Sequence, residues 1–137
     1  CGQEFFREKD GIDNTYNSPD AINQVDWTRA LRYQNHVQYI RDFIAFRKAH
    51  PSLSQENYCQ IQENCHFFWL SELVLRYEVH SDSQIIQFII NFSHQDFSYT
   101  KNEKQEVQFT YPPLVDKSQE TFCIAGQSIC TLLEEKT

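Results

Sequence analysis

Residues 85–92, Ile85-Ile86-Gln87-Phe88-Ile89-Ile90-Asn91-Phe92, constrain the fold more than any other stretch, because large apolar side chains occupy both parities of the run. Strand side chains alternate between two faces, so this run needs cover on both sides and belongs in the middle of a sheet. Ser81-Asp82-Ser83 ahead of it is turn material. Before that turn, Leu73, Leu75, Tyr77 and Val79 fall on one strand face and Glu72, Arg76 and Glu78 on the other, with Val74 breaking the rule. This alternation predicts a half-buried strand with the leucine face inward. Further strands are predicted at Phe97–Tyr99, Val107–Tyr111, Phe122–Ile124 and Ser128–Leu133, with Pro112-Pro113 stopping the second of these. Short strands at this spacing predict a sandwich of antiparallel sheets over residues 52–137. Phe97 and Tyr99 would serve either as an exposed aromatic platform or as core, and the alternation around them favours core.

Ahead of Pro51 the period changes. Tyr33, Val37, Ile40 and Ile44 recur at i, i+4, i+7 and i+11, one face of an amphipathic helix over Leu31–His50, and Phe43 and Phe46 widen its apolar side. Arg47 and Lys48 complement the carbonyl end, and Pro51 pushes His50 away from helical angles. Residues 3–31, with Gly11, Asp13-Asn14 and Asn17-Ser18-Pro19-Asp20, read as a long polar loop in which Pro19 can open a short helical turn at Ala21. Loops of this length are usually functional or disordered. The Cys-rich, aromatic segment 58–69, YCQIQENCHFFW, gives no clear path.

Charge and cysteine usage narrow the function classes. Twelve Lys and Arg against nineteen Asp and Glu leave a net charge of −7 without long single-sign runs, which argues against nucleic acid or an anionic membrane as partner. No stretch approaches the roughly 20 apolar residues of a membrane span. Five cysteines, Cys1, Cys59, Cys65, Cys123 and Cys130, form no regular framework and read as free thiols of a reducing, cytoplasmic compartment. Cys59, Cys65, His66 and His50 do not match a standard zinc spacing, so the thiols are expected to pack as small hydrophobes and no metal is expected. Neither a Gly-rich phosphate loop nor a nucleophile elbow is present, and no cofactor is expected.

The opening segment carries a family resemblance. Gly2-x-Glu4, Asp13-Asn14, Tyr16-Asn17-Ser18-Pro19-Asp20, Ile22-Asn23 and Asp26-Trp27 resemble the segment after the eighth barrel strand of bacterial type I pullulanases, starch-debranching members of the α-amylase superfamily. Phe46-Arg47-Lys48-Ala49-His50-Pro51 resembles the end of the last barrel helix, and from Ser52 onward a weaker resemblance extends to the C-terminal β-sandwich domain. The resemblance implies a mainly β chain: an antiparallel β-sandwich C-terminal domain, residues 52–137, preceded by the last strand-loop-helix remnant of a (β/α)8 barrel, residues 1–51. It implies a parent enzyme that hydrolyses α-1,6-glucosidic linkages with retention, with α-glucan as partner. The family's catalytic carboxylates lie on earlier barrel strands, so none is assigned to this chain and the chain alone is expected to be inactive. Asp13, Asp20 and Asp26 are not those groups, although glycoside hydrolysis needs two carboxylates.

A barrel strand's C-terminal end faces the active site, so the loop after Gly2-Gln3-Glu4-Phe5 would line the sugar cleft. Asn14, Asn17 and Asn23 offer both donors and acceptors to sugar hydroxyls, and Tyr16 offers a stacking face. These four are the expected substrate-binding residues, although Asn is equally a turn former and Tyr16 equally a packing residue. Gly2, Glu4 and Trp27 are expected to be structural, Glu4 by accepting hydrogen bonds and Trp27 by anchoring the loop near the helix. The sandwich is expected to pack against the barrel and stabilise it, with self-association where the barrel is missing. The rival is a stand-alone β-sandwich module that binds α-glucan or a protein partner through an exposed face.

Overall fold

The computed structural model describes residues 2–111 and 118–136, so Pro112-Pro113 lies outside the described residues. The chain divides into two compact units, Cys1–Ala49 and His50–Thr137. In the second, β1 (Cys65–Ser71), β2 (Val74–His80), β3 (Gln84–Asn91), β4 (Phe97–Thr100), β5 (Gln105–Tyr111), β6 (Thr121–Ile124) and β7 (Ser128–Glu135) form two antiparallel sheets. One has the order β1-β2-β3-β7-β5 and the other pairs β4 with β6. The apolar-on-both-faces run becomes β3, the central strand, whose Ile86 and Ile89 are both fully buried. The small sheet closes one face of the large one. Val74, Ile89, Cys130 and Leu132 meet Phe122 and Ile124 there, with Phe97, Tyr99 and Val107 packed around them. Phe97 and Tyr99 are therefore core residues and not a platform.

The inward face predicted for β2 is only half correct. Leu73 is exposed in the hairpin turn, and Val74 is the residue that enters the sandwich core. Leu75, Tyr77 and Val79 share the opposite face, where Val79 is buried. Arg76 and Glu78 therefore lie on the same face as Val74, and Glu78 is nevertheless buried. A buried carboxylate is tolerated when its oxygens are partnered. Glu78 Oε1 accepts from Gln87 Nε2 at 2.9 Å and pairs with Arg76 Nε at 3.0 Å, while Oε2 meets His80 Nε2 at 2.9 Å. Gln87 Oε1 in turn accepts from Gln105 Nε2 at 2.6 Å. Binary patterning assigns such residues to solvent because it cannot see their partners.

Segment 58–69 gives no single period because an element boundary falls inside it. Tyr58–Asn64 is a helix, followed directly by β1. The Asn57 side chain caps this helix by accepting from Gln60 N at 3.1 Å. Its two cysteines are not core: Cys59 is exposed and Cys65 half-buried, and Cys123 is exposed as well. Among the described cysteines the small-hydrophobe expectation holds for Cys130 alone.

The first unit is more helical than the predicted loop. Gln3–Phe5 form a 3-10 turn, followed by α1 (Asp20–Asn23), α2 (Thr28–Arg32) and α3 (Gln34–Ala49), so the helix of the second unit, Tyr58–Asn64, is α4. Pro19 stands immediately before α1, which contains the turn predicted at Ala21. The predicted long helix is broken at Tyr33, whose φ of −109° and ψ of 31° separate α2 from α3. Its predicted apolar side is covered only in part: Tyr33 and Val37 are half-buried. Ile40 and Ile44 are exposed, while Tyr39 and Phe43 are half-buried and Phe46 is buried. At 100° per residue Tyr39, Phe43 and Phe46 lie roughly 110° around the helix from Ile40 and Ile44. Two apolar stripes of similar length are equivalent to a periodicity count.

Candidate functional site

Residues 2–29 fold back on themselves because donors from one end of the segment reach carbonyls at the other. Gly2 adopts φ 91°, a left-handed conformation suited to glycine, and its carbonyl accepts from Phe5 N at 3.3 Å and Arg7 N at 2.8 Å. A Cβ at this position would lie 2.9 Å from Arg7 Cβ. Arg7 Nη2 donates to the carbonyls of Asn23 and Gln24. Arg29 Nη2 donates to Phe6 O at 2.6 Å, and Arg29 Nη1 pairs with Glu8 at 2.9 Å. Phe6 meets Tyr33 and His36 edge-on at 5.0 and 4.7 Å, which fixes the segment to the start of α3. Lys9 Nζ donates to Thr15 Oγ1 at the tip of the loop.

The four expected binding residues are not equivalent. Asn14, Tyr16 and Asn17 stand together on the exposed tip, Tyr16 being 88% exposed. Asn14 Oδ1 accepts from Tyr16 N at 3.2 Å, an Asx turn that leaves its amide donors outward. Asn23 is half-buried behind them. Its Nδ2 donates to Thr15 O at 2.8 Å and Ser18 O at 3.0 Å, so both of its N–H donors hold the tip in shape. Glu4 is half-buried and, among the described residues, makes no side-chain hydrogen bond. Trp27 is 64% exposed, with its ring 5.8 Å from that of Phe5.

Sequence reasoning passed over Arg7, Lys9 and Arg29. Their signal was available, as cations within a polar loop, but it is indistinguishable there from charge balance. With Glu8, Asp10 and Asp26 they line a cleft of about 290 Å³. The Asp26 carboxyl is held below its ordinary value by the Thr28 hydroxyl and then the Thr28 amide, both of which bond Oδ1, at 2.6 and 2.9 Å. Among the described residues no group of three or more His, Cys, Asp or Glu is arranged to hold a metal ion, and no helix is long and apolar enough to cross a membrane.

No protein-family model matches the chain. It is 39% identical over 84 residues to pullulanase of Bacillus subtilis (strain 168), covering 61% of this chain and 12% of that protein. It is 42% identical over 57 residues to isoamylase of Flavobacterium sp, covering 42% of this chain and 7% of that one. The pullulanase of Anoxybacillus sp. LM18-11, solved in complex with maltotetraose, superposes on 98% of this chain and 20% of its own with a TM-score of 0.84 and 26% identity. In fold and sequence the chain is similar to parts of a pullulanase and an isoamylase. It is a pullulanase-like, mainly antiparallel β fragment that spans 12% of the length of the Bacillus subtilis pullulanase and 20% of the Anoxybacillus one.

Proposed function

We propose that the chain is the non-catalytic C-terminal part of an enzyme cleaving α-1,6-glucosidic linkages, with residues 1–51 completing a (β/α)8 barrel and residues 52–137 forming a stabilising sandwich. The superposition on 98% of this chain of a pullulanase solved with maltotetraose carries the reading. In it, Asn14, Tyr16 and Asn17 form part of one wall of the glucan cleft, and Asn23 braces them through its bonds to Thr15 and Ser18. Gly2 shapes the entry to the loop through its left-handed backbone, and Trp27 meets the barrel with the face that Phe5 leaves free. The exposed stripe of α3, Ile40 and Ile44, together with Leu31, is the apolar surface that the rest of the barrel would cover. The acid and nucleophile carboxylates come from residues outside this chain. Free thiols at Cys59, Cys65, Cys123 and Cys130 favour a reducing, cytoplasmic compartment.

The test is a pullulan hydrolysis assay on two samples. The chain alone is expected to give no turnover. A Bacillus subtilis pullulanase whose corresponding segment is replaced by this chain is expected to fold and hydrolyse pullulan. Turnover by the chain alone, or a folded chimera that binds maltotetraose yet does not hydrolyse pullulan, overturns the reading.

A further inference from the structure

Among the described residues β1 is an edge strand, paired with β2 on one side only. Along such an edge every second residue turns its amide and carbonyl outward, a template for another strand. Edges are commonly blunted by Lys, by Pro or by a bulge. Strand β1, Cys-His-Phe-Phe-Trp-Leu-Ser, contains neither Lys nor Pro, and its one irregularity falls at the hairpin end, between Trp69 and Ser71. At its centre Phe67, Phe68 and Trp69 are 63, 42 and 65% exposed. A ladder of stacked rings also runs toward this edge. Phe88 of β3 stacks on Tyr77 of β2 at 5.7 Å and 18°, and Tyr77 stacks on Phe67 of β1 at 4.7 Å and 16°. The ladder then stops, with Phe67 largely in solvent.

We propose that the free edge of β1 pairs with β1 of a second copy of this chain, antiparallel and centred on Phe68. In that register Phe67 stands opposite Trp69 of the second copy on the face that carries the ladder, so each copy continues the other's stack. Phe68 meets its counterpart on the opposite face. The arrangement is two-fold and self-complementary, and it joins two five-stranded sheets into one. A second copy fits this edge because it supplies an aromatic ring where the ladder ends. It also brings no like charge opposite another, although the chain as a whole carries a net charge of −7. Exposed Tyr58 and Ile61 of α4 and Leu73 of the hairpin flank the strand and extend the contact. Partly exposed aromatics from both copies would bury on the order of 1,000 Å², the low end for a specific interface, so the dimer depends on concentration. This proposal rests on the sheet alone and stands or falls separately from the debranching reading.

Sedimentation velocity from about 10 μM to about 1 mM tests it, since a low-end interface dissociates within that range. The chain is expected to pass from monomer to dimer. Trp69→Lys is expected to weaken dimerisation about tenfold or more, as loss of a central aromatic anchor does. Trp27→Lys, at an equally exposed aromatic of the first unit, is expected to leave it unchanged. On the unmodified chain, hydrogen exchange of the outward β1 amides should slow as concentration rises. A monomer across the whole range overturns the proposal, as does a dimer that forms while β1 exchange stays independent of concentration. A folded Trp69→Lys chain that dimerises like the native one also overturns it.

Discussion

Asn91 ties the two sheets together with one side chain, and replacing it gives a sharp test of the second unit. It is 1% exposed. Its Nδ2 donates to Gln95 O at 2.8 Å, Ile124 O at 3.1 Å and Ala125 O at 3.0 Å, and its Oδ1 accepts from Ser93 N at 3.0 Å and Ser93 Oγ at 2.7 Å. It thus joins the end of β3 and the turn after it to the end of β6. Asn91→Ala removes the bonds to the Gln95, Ile124 and Ala125 carbonyls and to Ser93 from a buried position; the Ile124 carbonyl keeps its ladder partner Phe97, and the several lost bonds at about 1 kcal/mol each total about 3 kcal/mol. Asn91→Asp keeps the acceptor but aims a second oxygen at three carbonyls, so at neutral pH it should destabilise at least as much as Ala. The introduced carboxyl would titrate higher in the folded than in the unfolded chain, because folding favours its protonated, donating form. Its excess penalty should therefore fade as pH drops toward about 4. Urea unfolding read by hydrogen exchange at Ile89, Cys130 and Leu132 isolates this unit, and the midpoint should fall by about 1.5 M for a slope near 2 kcal/mol/M. A loss below about 1 kcal/mol for Asn91→Ala, or Asn91→Asp more stable than Asn91→Ala at neutral pH, would refute the bonding scheme.

Two further outcomes follow from single groups. The Tyr77 phenol is pushed up to about 12 by burial and by its bond to Cys65 Sγ at 3.3 Å, so it stays protonated while the unfolded chain ionises near 10. The stability it contributes should be intact below pH ~10 and fall as pH rises toward about 12; phenolate absorbance should show a late transition that Tyr77→Phe abolishes. Arg29→Ala removes the donors to Phe6 O and Phe5 O and the Glu8 pair, and should lower local stability by about 1–2 kcal/mol. Amide exchange across residues 5–9 reads this loss, with Arg29→Lys restoring little of it because a lysine lacks the fork.

The strands were legible where burial alone decides them. β3 has no polar face to mislead a reader, and its neighbours are separated by turn residues. Legibility fails where a polar residue goes inward with partners, as Glu78 does with Gln87, Arg76 and His80. It fails again where apolar residues exceed what one face needs, as on α3. There Val37, Ile40 and Ile44 satisfy the helical period as well as Tyr39, Phe43 and Phe46 do, yet Ile40 and Ile44 are exposed while the second stripe is at least half-buried throughout. Periodicity identifies a helix; choosing its buried side requires knowing what lies against it.

The candidate site shows a different gap between residue type and residue state. Asn14, Asn17 and Asn23 are identical in chemistry, and sequence gives no reason to separate them. The separation comes from whether the amide hydrogens are already in use. Those of Asn23 are bonded to Thr15 and Ser18 and hold the tip in shape, whereas Asn14 uses only its acceptor. The same distinction explains the cations. Arg7 bonds carbonyls 16 and 17 positions away and Arg29 bonds carbonyls 23 and 24 positions away, distances no local window spans. In the proposed cleft, substitution of Asn23 should therefore alter how well the tip is formed, and substitution of Asn14 or Asn17 should alter contact with the sugar. The two effects separate experimentally between Asn23 and Asn17, because Asn23 bonds the backbone of residues 15–18 and its loss changes amide exchange there in the unliganded protein, whereas Asn14 also accepts from Tyr16 N and its loss alters exchange at that amide as well.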